Sequence, residues 1–295
     1  MMTISTPPEF SFAECLRFLN RSPRECLHYA ADGELFKPLK VGNAAVLLRV
    51  RQNGAGGLAI DFPQGAAGET FRAAAANYIC EWLDLERDLK PFYAIANNDS
   101  LLEKLARQYY GLRLIGIPDL FEALGWAVIG QQINLQFAYT LKKRLVEAFG
   151  EKVVHREREY WLFPAPAVVA RLKPEDLLGM QFSRRKAEYL IGIARLLAGG
   201  EISREKILGQ SGGIENMRRR LQQIRGVGEW TADYVLMKCF RVPSAFPIGD
   251  AGLHNALKIQ LGLSRKPSLA EIKALARGWK GWEAYATFYL WRSLL

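Results

Sequence analysis

Apolar residues along this 295-residue chain follow two rhythms. Over 1–98 they form short aliphatic runs at 36–41 and 44–50, then a glycine-rich turn at 52–57 and a returning run at 58–62. Runs of that length bounded by such a turn predict antiparallel strands. Two stretches of the same region, 10–20 and 69–85 (its core 70–82), carry the helical period instead. From about Asp99 the helical period takes over, with segments at 101–109, 120–129, 136–149, 166–171, 174–178, 183–198, 203–208, 216–223, 229–239, 252–261, 268–277 and 282–293. Gly, Pro and the capping residues Asp119 and Ser183 mark their ends. The expected fold class is α+β, with an antiparallel sheet and helices over 1–98 followed by an all-α region over 99–295.

Composition changes that picture little. The chain is long enough for two or three domains with buried cores, and 49% hydrophobic with 24% charged residues is ordinary for a soluble protein. The charge balance is more telling. Forty Lys and Arg against thirty Asp and Glu leave +10, with a pI near 9.5. Such a surplus points to a polyanionic partner, nucleic acid before others, although a merely basic surface gives the same sum. Cys15, Cys26, Cys80 and Cys239 form no C-x-x-C pair, which argues against zinc fingers and a four-cysteine iron–sulfur loop. They are expected to be reduced. His28, His155 and His254 show no metal-ligand spacing and are expected to be structural. With no leader pattern and no apolar run of about 18 residues, a cytoplasmic location is expected.

Candidate chemistry concentrates in 221–253, LQQIRGVGEWTADYVLMKCFRVPSAFPIGDAGL. Gly226-Val227-Gly228 predicts a tight turn between two helices, because glycine accepts φ > 0 and places no Cβ near an approaching ligand. The amides of that turn and of the next helix start make an anion site fitted to a phosphate. A simple helix cap is the plainer alternative. Trp230 and Tyr234, four apart, share one face of the second helix. A loop with Pro243 and Pro247 then delivers a carboxylate, Asp250. Capping the helix that starts near Gly252 is its plainer job.

Ile224-x-Gly226-Val227-Gly228-x-Trp230-Thr231-Ala232, followed by Phe246-Pro247-x-Gly249-Asp250, resembles the helix-hairpin-helix glycosylase superfamily. Within it the chain resembles the DNA-3-methyladenine glycosylase II branch. Matches in order at Phe121 to Ile133, Phe163 to Pro166, Leu177 to Met180, Ser183 to Leu190 and Trp279 to Trp291 extend the likeness over about 116–295. The first hundred residues match only weakly. The resemblance implies a curved N-terminal sheet and two helical lobes with an active-site cleft between them. Lyase-competent relatives carry a Lys where this chain has Trp230. An indole forms no Schiff base, so a monofunctional enzyme of base excision repair is expected.

The resemblance also assigns roles. Asp250 is expected to stabilise the oxocarbenium-like sugar formed as the N-glycosidic bond breaks, and to orient or deprotonate the attacking water. Trp230, Tyr234 and Trp291 are expected to wall the base pocket, where ring faces attract a cationic base such as 3-methyladenine or 7-methylguanine. Ordinary core packing is the alternative for each ring. Gln132 is expected to fill the gap left by a flipped base in duplex DNA. Gly226, Val227, Gly228 and Thr231 are expected to hold a DNA phosphate through backbone amides, with the Thr hydroxyl as a further contact. Carbonyls of Gln222, Ile224 and Val227 are expected to hold a monovalent cation, Na+ or K+, when DNA is bound; no other cofactor is required. Two basic clusters, Arg184-Arg185-Lys186 and Arg218-Arg219-Arg220, either neutralise phosphates or face solvent. The residue after the acid is Ala251, where the best-known relatives of the branch place an aromatic. The expected partner is damaged double-stranded DNA, with the enzyme monomeric and away from membranes. Two rivals remain: an oxidised-base glycosylase/lyase of the 8-oxoguanine type, and a non-catalytic hairpin module that binds DNA backbone.

Overall fold

The computed structural model describes residues 1–54, 56–65, 67–209 and 213–295. The N-terminal half runs β1 (Met2–Ser5), α1 (Phe12–Leu19), β2 (Tyr29–Ala31), β3 (Glu34–Val41), β4 (Ala44–Gln52), β5 (Gly57–Asp61), α2 (Glu69–Trp82), α3 (Lys90–Ala96) and α4 (Ser100–Gln108). Then come α5 (Leu120–Gly130), α6 (Leu135–Phe149), β6 (Lys152–His155), β7 (Arg158–Trp161), α7 (Pro166–Val169), α8 (Pro174–Leu178), α9 (Arg184–Ala198) and α10 (Arg204–Leu208). The chain ends with α11 (Gly213–Gln222), α12 (Glu229–Lys238), α13 (Ala251–Gln260), α14 (Leu269–Leu275), a short 3-10 turn (Ala276–Trp279) and α15 (Glu283–Arg292).

Five strands form one antiparallel sheet in the order β1-β5-β4-β3-β2. Pro38 lies in β3 beyond Glu34 to Phe36, where β2 has stopped pairing, so its missing N–H falls on an open edge. The turn expected at 52–57 joins β4 to β5, although Ala55 within it lies outside the described residues. The mixed α+β class is as the sequence pattern predicts. Strands β1 and β2 and helix α3 add to the predicted elements.

The hairpin β6–β7 was not expected. Its strands are four residues long, and Arg156 and Glu157 between them both take the left-handed conformation (φ 48° and 64°) without Gly or Asn to signal it. The hairpin lies on the N-terminal sheet. Val153 and Tyr160 join Leu47 in a small apolar cluster, Tyr160 stacks 5.8 Å from Phe36, and the Arg158 guanidinium sits 3.7 Å from the Tyr29 ring centroid.

The two halves share one core. Phe18 of α1 packs 4.4 Å from Phe288 of α15, and Glu14 pairs with Arg292 at 3.0 Å, both nearly buried. Fully buried Arg113 donates to the carbonyls of Asp84, Arg87 and Glu9. These bonds neutralise no charge, but they satisfy the guanidinium donors that burial would otherwise leave costly. Gly111 (φ 81°) is required at the same seam, because a Cβ there would lie 2.6 Å from the Ser11 nitrogen. Helix α5, apolar apart from Glu122, is buried along nearly its whole length, as its composition demands.

Candidate active site

Helix α12 begins at the hairpin and carries Trp230 and Tyr234 on one face, ring centroids 5.5 Å apart. Tyr234 in turn lies 6.1 Å from Trp291 on α15. Tyr234 is 7% exposed, so it forms the floor between two half-buried indoles. Burial pushes its hydroxyl pKa up.

The loop from Phe240 to Asp250 is pinned by its own turn bonds. Ala284 donates to the Pro243 carbonyl at 2.9 Å, Asp250 to Pro247 at 2.9 Å, and His254 meets the Ile248 carbonyl at 2.8 Å. That fixes Asp250 as the N-cap of α13, its Oδ1 accepting from the Leu253 amide at 2.7 Å. Oδ1 also accepts from the Trp291 indole at 2.7 Å, and Oδ2 accepts from the Trp230 indole at 3.3 Å. The two oxygens are therefore engaged differently. Oδ1 is filled, whereas Oδ2 holds one long bond and is the atom with capacity left for a ligand. Gly252 makes this possible, since a Cβ there would stand 2.9 Å from Oδ1 and 3.2 Å from Trp291 Nε1. Ala251 beside it is exposed.

At the hairpin, Gly226 has φ 92° and passes so close to Tyr189 that a Cβ would fall 2.4 Å from its ring. Gly228 has φ −87° and open space around it. It is the N-cap of α12 with no side-chain cap, so the amides of Gly228 and of the first turn of α12 have no partner among the described residues. By contrast α1, α4, α5, α6, α9 and α13 are all capped by a Ser, Asp or Asn side chain. The expectation for Val227 needs correction: its N–H closes the turn on the Ile224 carbonyl at 3.0 Å and is not free. Thr231 also differs. It is 2% exposed and its hydroxyl accepts from Gln131 at 3.0 Å, so that hydroxyl lies inside the protein.

Gln131 was missed by sequence reasoning. It bridges the α5 end to the hairpin by donating to Thr231 and to the Gly226 carbonyl at 2.9 Å. Its neighbour Gln132 is exposed, has no side-chain bond among the described residues, and takes φ 56°. Its backbone lies in the left-handed region that non-glycine residues seldom take.

The basic clusters divide. Lys186 donates to the Ile129 carbonyl at 2.7 Å, Arg184 pairs with Glu175 at 3.1 Å, Arg218 holds Asp233 at 2.8 Å, and Arg220 binds the carbonyls of Lys206 and Ile207. Arg185 stays exposed, and Arg225, just before the hairpin, is 82% exposed with a loose 3.5 Å contact to Glu188. Among the described residues no group of three or more His, Cys, Asp or Glu could hold a metal ion, and no helix is long and apolar enough to cross a membrane.

The family described as HhH-GPD superfamily base excision DNA repair protein matches residues 126–281. The chain belongs to that superfamily. A second family, the 8-oxoguanine DNA glycosylase N-terminal domain, matches 38–124. A DNA-3-methyladenine glycosylase of Bacillus subtilis is 44% identical over all of this chain and 97% of its own length. DNA-3-methyladenine glycosylase 2 of Escherichia coli is 29% identical over 64% of this chain. The 3-methyladenine DNA-glycosylase of Archaeoglobus fulgidus superposes with TM-score 0.83 at 22% identity, over 99% of this chain and 97% of that one. The Clostridium acetobutylicum 8-oxoguanine glycosylase/lyase in complex with dsDNA gives TM-score 0.74 at 20% identity, with the same coverage. At such identities the two likenesses show the fold alone. The choice of chemistry rests on residues within the site.

Proposed function

We propose that this protein is a monofunctional DNA glycosylase of base excision repair that releases alkylated purines of the 3-methyladenine and 7-methylguanine type from duplex DNA. One observation carries the reading: Asp250 is held by Trp230 and Trp291, the two indoles that flank Tyr234. A carboxylate fixed beside aromatic faces suits a flipped cationic base with its sugar next to the acid. As the glycosidic bond breaks, positive charge grows on the sugar and Oδ2 faces it without having to reorganise. The same oxygen accepts a proton from the attacking water. A base already positively charged is a good leaving group, so no general acid is needed.

Other residues serve positioning. The free amides of Gly226, Gly228 and the first turn of α12 grip a phosphate, and Arg185 and Arg225 add charge. Gln132 enters the space vacated by the flipped base. The carbonyls of Gln222 and Val227 accept no hydrogen bond among the described residues and that of Ile224 accepts one, so all three have a lone pair for Na+ or K+ when DNA is bound. Residues 1–98 act as one domain and 99–295 as the glycosylase region. The enzyme works as a monomer on chromosomal DNA in the cytoplasm.

Incubation with methylated duplex DNA, followed by chromatography of the released bases, tests this directly. The match of 38–124 to the 8-oxoguanine N-terminal family supports a second reading, an oxidised-base glycosylase/lyase. Borohydride trapping on damaged duplex separates the two: a covalent adduct would favour the lyase.

A further inference from the structure

One side chain ties the end of α5 to the hairpin. Gln131, the C-cap of α5, donates from Nε2 to the Gly226 carbonyl at 2.9 Å and to the Thr231 hydroxyl at 3.0 Å. Both of its amide protons are thereby used. Among the described residues the Gly226 carbonyl accepts no other hydrogen bond, while the N–H of the same peptide unit, that of Val227, donates to the Ile224 carbonyl at 3.0 Å. A trans peptide unit is planar, with its C=O and N–H on opposite sides, so the two bonds clamp the unit between Gly226 and Val227 from both sides. The next amide along is that of Gly228, which has no partner among the described residues.

The other end of the tie is Gln132. It follows Gln131 directly, its Cα about 3.8 Å on, and it is exposed with φ 56°. The chain then enters α6, whose first turn is capped by Asn134 at 2.8 Å. Helix α9 braces the same junction from behind: Lys186 donates to the Ile129 carbonyl at 2.7 Å, and Tyr189 lies so close to Gly226 that a Cβ there would fall 2.4 Å from its ring. Gln131 is the contact that runs from the neighbour of Gln132 straight to the hairpin.

Resting on the base-release reading above, in which the hairpin holds a phosphate and Gln132 fills the gap left by the flipped base, we propose that Gln131 is a positioning residue that couples these two acts. It touches neither base nor sugar. By fixing the Gly226 carbonyl from the turn that carries Gln132, it makes the phosphate grip and the plug one rigid unit, with the plug at a set distance from the held strand. A plug free to shift lets the base fall back into the stack. That matters most where the opposing pair is strong and extrusion costs most. The two neutral hydrogen bonds together account for a ~10- to 100-fold effect.

The test measures 7-methylguanine release under single turnover from two duplexes, one with cytosine opposite the lesion and one with no base opposite. Wild type, Gln131→Met, Gln132→Ala and the double variant are compared, and the fluorescence of a 2-aminopurine beside the lesion reports unstacking on binding. Gln131→Met keeps the length of the side chain and loses its donors. Opposite cytosine it should slow release ~10- to 100-fold and cut the fluorescence rise. With no base opposite, the loss should shrink to about 3-fold or less, since little pairing is left to break. Because Gln131 acts through Gln132, the double variant should stay within about 2-fold of Gln132→Ala. Equal loss on both duplexes would make Gln131 a mere support of the hairpin and overturn the proposal. Additive losses in the double variant, or wild-type behaviour of Gln132→Ala, would overturn it as well. If Gln131→Met does not fold, Thr231→Val, which removes one of the two bonds and keeps the shape, takes its place in the same comparison. A wild-type chain that releases 7-methylguanine from neither duplex sinks the base-release reading itself, and the fluorescence of wild type against Gln131→Met then decides this inference separately.

Discussion

Trp291 donates its indole N–H to Asp250 Oδ1 at 2.7 Å, across 41 residues of sequence, from the last helix to the cap of α13. Trp291→Phe keeps a ring in the wall and deletes the donor. A hydrogen bond to a charged group contributes about 1.5–3 kcal/mol, so base release should slow ~10- to 100-fold. Affinity for abasic-site DNA should stay within a few-fold. Single-turnover rates and DNA binding titrations separate the two effects, and an unchanged rate would reduce Trp291 to packing.

The two hairpin glycines are expected to behave differently. Gly226→Ala puts a methyl into Tyr189 at positive φ, and should lower the melting temperature and DNA affinity together. Gly228→Ala meets no atom within 4 Å at a negative φ, and should leave stability nearly unchanged. Thermal unfolding of both variants checks this.

DNA binding should weaken steeply with salt, because phosphate contacts release counterions. Arg225→Ala and Arg185→Ala should each lower the log–log salt slope by about 1. Arg220→Ala should leave the slope alone and reduce stability, since Arg220 binds the carbonyls of Lys206 and Ile207.

His28 contributes a pH dependence of stability between about 4 and 6.5. Burial lowers its pKa from the ordinary 6.5 to about 4, with Glu25 opposing the shift. The unfolded chain therefore takes up the proton first, and stability is full above about 6.5 and falls as pH drops toward 4. Urea unfolding across that range should show the slope, and His28→Gln should flatten it.

The hairpin, the acid and the helical half were legible because each depends on local chemistry: glycines where φ or close approach demands them, and a carboxylate at a fixed distance from Trp230. Features assembled by tertiary contact were not. Nothing in sequence marks Gln131 as the tie between α5 and the hairpin, or Lys186 as a donor to the Ile129 carbonyl. The β6–β7 hairpin escaped notice because its turn uses Arg156 and Glu157 in a backbone region that glycine or asparagine usually announces. Val227 was misread for a related reason: its amide is consumed by a turn bond that only the folded hairpin reveals.

Asp250→Asn bears most directly on the central claim. The amide retains the shape and the cap on Leu253 but removes the negative charge beside the sugar. Base release from methylated duplex, measured under single turnover, should fall by ~100- to 1000-fold, as loss of one preorganised electrostatic group allows, while abasic-site DNA binds within a few-fold of wild type. Release at the wild-type rate would contradict the account.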